Sequence, residues 1–151
     1  MDLLQAYRQE IKRRDLIEDQ LQIEAIGRLQ RLAIDMERYE RSRAGLLTRL
    51  FSRQTAPKGL WLWGGVGRGK SFIMDLFFES LDVERKGRFH FHEFMREVHR
   101  ELEVHKGQAN PLDSVGLQIA KRYQILCFDE FHVSDIADAM ILERLLKVVF
   151  S

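Results

Sequence analysis

Apolar residues recur through the first quarter of the chain at Leu16, Ile17, Leu21, Ile23, Ile26, Leu29, Leu32, Ala33 and Met36. A helix turns once in about 3.6 residues, so gaps of three and four align these side chains as one stripe. The intervening positions are densely charged. Asp2 to about Phe51 is therefore predicted as a helical arm with a solvated outer face. The periodicity stops at Ser52-Arg53-Gln54-Thr55-Ala56-Pro57-Lys58-Gly59, where polar residues, a proline and a glycine mark a break. We expect an arm over residues 1–56 and a core over 57–151.

The core alternates between two periods. Leu60-Trp61-Leu62-Trp63 is a short apolar run and predicts a buried strand. Lys70 to about Ser80 predicts a helix with Phe72, Ile73, Leu76 and Phe77 on one side. Arg88–Phe91 is expected as a strand, Phe94 to about Lys106 as a charged amphipathic helix, and Asn110-Pro111 as a turn. Leu112–Lys121 reads as a further helix. Tyr123–Phe128 is largely apolar, as in a parallel strand covered on both faces. Asp135 to about Val149 closes as a helix. Strands alternating with helices predict an α/β fold with a parallel sheet and flanking helices.

Composition narrows the function classes. The 151 residues are 45% hydrophobic and 31% charged, an ordinary globular mix. Lys and Arg number 24 and Asp and Glu 23, so no global field drives binding to nucleic acid. The arm's small excess of basic groups is read as a solvated face. Cys127 is the sole cysteine, which excludes an intrachain disulfide. The first twenty residues mix acids and bases, unlike a secretory signal or a transit peptide. No apolar window is long enough to cross a bilayer. A cytoplasmic location is the expectation.

Gly64-Gly65-Val66-Gly67-Arg68-Gly69-Lys70-Ser71 matches the phosphate-binding pattern G-x-x-x-x-G-K-[ST], the Walker A loop. Its residue types follow from the ligand. A chain of phosphates needs many close donors, and backbone N–H groups supply them where no side chain blocks approach. Gly64, Gly67 and Gly69 permit the turn and the contact. The next helix points unused N–H groups and its positive end at the anion. Lys70 would reach the β- and γ-phosphates, and the Ser71 hydroxyl would ligate Mg²⁺. The second half of such a site is an acidic pair after a parallel strand, and Asp129-Glu130 follows Tyr123–Phe128. Asp129 would hold Mg²⁺ directly or through water. Glu130 would polarise the water attacking the γ-phosphate. The plainer readings are a glycine turn that binds nothing and two acids that cap a turn. Both patterns on suitable elements, in the right order, point to ATP with Mg²⁺.

The segments APKGLWLWGGVGRGKS, MDLFFESL, FHFHEFMREVHREL and ILCFDEFHVSDIADAMIL resemble the AFG-one-like ATPases. Asp19 and Gln22 resemble that family's D-x-x-Q element. The resemblance implies an AAA+ ATPase of P-loop type, working as a homo-oligomeric ring on a protein substrate. Bacterial members are linked to the division ring and the tubulin-like protein FtsZ, which would put the protein peripherally at the division site. Mitochondrial members are linked to inner-membrane quality control. The family continues past the position of Ser151 with a strand bearing a sensor residue, an arginine finger and a C-terminal portion. The chain is therefore read as the N-terminal, incomplete part of such a domain. We expect it to hydrolyse ATP weakly or not at all alone. The alternative is a nucleotide-binding interaction module without hydrolysis, in which the arm docks a partner. A small-molecule kinase would need an acceptor site that the sequence does not offer.

Other residues have plainer expectations. His90, His92, His99 and His105 cluster with Glu93 and Glu97, but a metal site there is disfavoured. The resemblance puts a pore loop near Phe94-Met95, whereas their spacing with Val98 and Leu102 makes them the core face of a helix. Phe128 and Phe131 are expected to pack the strand end, Asp135 and Asp138 to cap and charge the last helix, and Cys127 to be inert.

Overall fold

The computed structural model describes residues 2–45 and 69–149. The expected strand Leu60–Trp63, the 56/57 boundary and the end of the arm at Phe51 lie outside the described residues. The chain divides into two compact units, Met1–Glu84 and Arg85–Ser151.

The first unit is helical. Asp2 caps α1 (Leu3–Arg13), its Oδ1 accepting from the N–H of Leu4 at 3.0 Å and of Gln5 at 3.4 Å. Lys12 and Arg13 sit in the last turn, where the helix dipole is negative. Leu3, Tyr7 and Ile11, four apart, form its buried face. The arm is not one helix, contrary to the periodicity. The Arg14 N–H bonds back to the Glu10 carbonyl, and Asp15 turns the backbone left-handed at φ 52°. A short polar side chain tolerates that region better than most. Asp19 then opens α2 (Gln20–Ala44), its Oδ1 accepting from the Leu21 N–H at 2.9 Å. The break cuts the apolar stripe in two. Ile26, Leu29 and Met36 are buried, while Leu16 and Ile17 fall in the link and Leu21 in the first turn, all exposed. The Leu3 N–H donates to Gln30 Oε1 at 2.5 Å and ties α1 to α2. Helix α3 (Lys70–Ser80) packs on both. It buries Ile73 and Phe77, and Leu81 and Val83 just after it are buried too.

The second unit runs β1 (Lys86–His90), α4 (Phe91–Val104), α5 (Pro111–Arg122), β2 (Ile125–Asp129) and α6 (Ile136–Val149). β1 and β2 pair in parallel, with Lys86 opposite Ile125 and His90 opposite Asp129. Parallel neighbours need a long crossover, and α4 and α5 provide it. The first strand ends at His90, one residue earlier than expected. Phe91 joins Phe94, Met95 and Val98 at helical spacing, so its burial starts the helix there. These four side chains, with Val115, Leu142 and Leu145, form the core. Leu126 and Phe128 pack against it from one face of β2. Cys127, which alternates to the other face of β2, is buried, and the remaining residues of the strand are half-buried. Among the described residues the sheet has just two strands.

Pro111 starts α5, and Lys121 and Arg122 close it. Gly116 faces α6: a Cβ there would stand 2.8 Å from Val148 Cγ1, so the glycine sets how closely the helices approach. The architecture of the described residues is thus mostly helical with a small parallel sheet.

Candidate nucleotide site

The first group of candidate residues lies at the start of α3. Gly69 is the N-cap, in the left-handed region at φ 70° that favours glycine. Its carbonyl accepts the first intrahelical bond, from the Ile73 N–H at 3.1 Å. Gly69 has no side chain with which to cap this end itself. The first-turn N–H groups of Lys70, Ser71 and Phe72 have no intrahelical partner, which suits an anion. Ser71 is exposed and Lys70 half-buried. Gly64, Gly65, Val66, Gly67 and Arg68 lie outside the described residues.

The arm packs around this helix start. Tyr7 is fully buried, and its ring centroid is 6.0 Å from that of Phe72, the residue after Ser71. The Arg14 guanidinium lies 5.1 Å from the Phe72 centroid, in cation–π contact. Glu10 holds Arg14 Nε at 2.7 Å and also pairs with Arg13. Hydrogen bonds from those two guanidinium groups lower the Glu10 carboxyl to about 2.

The second group lies at the carboxyl end of β2. Asp129 is held by Arg88 of β1, Nε to Oδ2 at 2.7 Å and Nη2 to Oδ1 at 3.2 Å. Arg88 stands opposite Cys127 in the register, one pleat period before Asp129, which lets the guanidinium reach forward. Glu130 follows at φ 50°, an uncommon conformation for a residue with a side chain. Its carboxylate is 77% exposed, with His90 Nδ1 at 4.0 Å. Beneath this turn the rings of Phe91 and Phe131 stand 4.5 Å apart and those of Phe94 and Phe128 4.8 Å apart. Phe94 and Met95 are buried in the core, and no pore-facing role is visible for them. Burial pushes the Cys127 thiol up to about 11, far from the thiolate range.

Asp129 bears on the expected Mg²⁺. Each of its oxygens accepts one guanidinium bond and keeps a lone pair, so the carboxylate fits a hydrated cation reached through water. Direct ligation would bring two cationic groups onto one carboxylate. The His90 and His92 rings stay neighbours at 6.0 Å, while the other two of the cluster turn to separate partners. His99 meets Asp138 of α6 at 2.6 Å, while His105 donates to the Glu101 carbonyl at 2.9 Å and faces Gln118. Among the described residues no group of three or more His, Cys, Asp or Glu is arranged to hold a metal ion. Asp135 caps α6, its Oδ1 accepting from the Ala137 N–H at 2.8 Å.

The sequence reading missed Arg88 as Asp129's partner and Tyr7 and Arg14 as supports of α3. Strand register and helix packing decide these pairs, and neither has a local signal. A basic residue two positions from the end of a strand beside the acidic strand was the one hint available.

The AFG1-like ATPase family model matches residues 1–151. The chain belongs to the AFG1-like ATPases. It is 51% identical over 100 residues to the cell division protein ZapE of Escherichia coli K12, covering 66% of this chain and 27% of that protein. It is 39% identical over 110 residues to lactation elevated protein 1 homolog B of Danio rerio, covering 66% of this chain and 22% of that one. The chain thus spans about a quarter of the length of these curated AFG1-like relatives. No solved structure matches it. No helix of the described residues is long and apolar enough to cross a membrane.

Proposed function

We propose that this chain is the nucleotide-binding part of an ATP-hydrolysing AAA+ protein of the ZapE type. The observation that carries the reading is the start of α3: a left-handed Gly69 delivers the chain into a helix whose first residues are Lys70 and Ser71. That is the arrangement a phosphate-binding loop requires. Residues Gly64 to Ser71 cradle the phosphates, and Lys70 neutralises charge on the β- and γ-phosphates. Asp129 and the Ser71 hydroxyl would hold Mg²⁺, which supplies charge neutralisation at the bridging oxygens. Glu130, exposed and next to Asp129, would polarise the attacking water. Family membership supports this reading, and likeness to a bacterial cell division protein supports a link to cell division. The wider proposal includes a homo-oligomer of the whole protein, a cytoplasmic location at the division site, and a division-ring partner such as FtsZ.

One observation favours the quieter reading, a nucleotide-binding module without hydrolysis. Arg88 occupies both oxygens of Asp129, which leaves that carboxylate partly committed. Thermal melting with and without Mg-ATP tests binding. A transition raised by Mg-ATP in the unmutated chain and not in Lys70→Ala is expected. Equal response of the two chains would overturn the assignment. Steady turnover abolished by Glu130→Gln would decide for the enzyme over the module.

A further inference from the structure

Gln22 on α2 stands against the last glycine of the phosphate-binding pattern. A Cβ placed on Gly69 would lie 2.5 Å from Gln22 Nε2, so the carboxamide occupies the space that a side chain at Gly69 would take. The orientation of that amide is fixed from behind. The Tyr7 hydroxyl accepts the backbone N–H of Asp19 at 3.2 Å, so its own proton is available to Gln22 Oε1, 2.9 Å away. A carbonyl oxygen engaged by Tyr7 turns the NH₂ group toward Gly69. Tyr7 is fully buried, and its ring and the Arg14 guanidinium both lie on Phe72, the third residue after Gly69. Asp19, Tyr7 and Gln22 thus form one relay from the α1–α2 link to the first residue of the α3 cap.

We propose that Gln22 is a positioning residue of the nucleotide site, through which the helical arm sets the conformation of the phosphate loop at Gly69. The inference rests on the nucleotide-binding reading and deepens it. A neutral double donor at this point does two things. It fills the pocket beside a left-handed glycine, and, being neutral, it keeps an anionic side chain out of the space beside the helix N-terminus. The arm then belongs to the nucleotide site, and movement of α1 against α2 alters nucleotide affinity.

The test uses the full chain and equilibrium binding of Mg-ATP, ADP and AMP. Gln22→Glu keeps side-chain length and an acceptor for Tyr7 while replacing the donor by an anion. It should weaken Mg-ATP binding about tenfold or more, with a smaller loss for AMP and partial recovery at high salt. A purely packing role would weaken all three nucleotides alike and would not respond to salt. Tyr7→Phe removes only the hydroxyl that orients the amide and should weaken Mg-ATP binding about threefold; it keeps the inference testable if Gln22→Glu unfolds. Lys70→Ala separates the two levels. If Lys70→Ala loses binding but Gln22→Glu and Tyr7→Phe bind within twofold of the unmutated chain, the positioning role is wrong and the site stands. If the unmutated chain binds none of the nucleotides, both fall together.

Discussion

The two groups of candidate residues are built in opposite ways. At the start of α3 the work is done by backbone and neutral groups: a left-handed glycine at the helix N-terminus and a tyrosine–glutamine relay behind it. At the end of β2 it is done by charge: a carboxylate gripped by a neighbouring strand's arginine, then an exposed acid in a left-handed turn. An anion-binding end cannot carry its own acids, and glycine leaves room for phosphate oxygens. A cation-binding end needs carboxylates, and a half-buried carboxylate needs a counter-charge to be stable before any cation arrives. Arg88 supplies that charge.

Substitutions can break this contrast, and the ionic side should give the larger effect on stability. Arg88→Ala strips a half-buried Asp129 of its partner and should cost about 2 kcal/mol, read as a lower urea midpoint. Arg88→Ala combined with Asp129→Asn should recover part of that loss. On the glycine side, Gly69→Ala meets both a strained φ and Gln22 Nε2, the movable end of a side chain. About 1–2 kcal/mol is expected, because Gln22 can yield but the backbone cannot. Gly69→Ala costing nothing would show that the loop is held by something other than the arm.

Smaller effects sharpen the comparison. Asp19→Ala and Asp135→Ala each remove a helix cap, one in each unit, and about 1 kcal/mol apiece is expected. The two should be additive, since they share no partner. Smallest is the pH dependence. Glu10, lowered to about 2, lends the first unit stability that is present above its ordinary range and fades as pH falls toward 2. Cys127, raised to about 11, works in the other direction. Its contribution to the second unit is intact below the ordinary thiol value of 9.0 and is lost as pH rises through 11. Melting at pH 8 and pH 10.5 should show a smaller alkaline decline in Cys127→Ala. Glu10→Gln should flatten the acid limb alone.

Much of the local structure was legible from residue order. Lys70–Ser80 lies where the apolar spacing put it, and the helices over Pro111–Arg122 and Ile136–Val149 fall within a residue or two of expectation. The glycines, Lys70 and the Asp129-Glu130 pair carry a chemical logic that local sequence states by itself, because spacing along a turn or a strand fixes which groups can meet a phosphate. The α1–α2 break was not legible. A periodic stripe reads the same through a link as through a helix, and only the left-handed turn at Asp15 and the cap at Asp19 cut it.

Residue order determined the elements, the phosphate-loop pattern and the acidic pair, since propensity, capping and periodicity act over a few neighbouring positions. Tertiary structure decided the partners. That Arg88 holds Asp129 depends on the register of two strands whose residues are 41 apart in the chain. That Tyr7 aims Gln22 at Gly69 depends on three helices closing on one buried face. Such pairings arise when distant segments exclude water together, and no short stretch of sequence contains the surface it will meet.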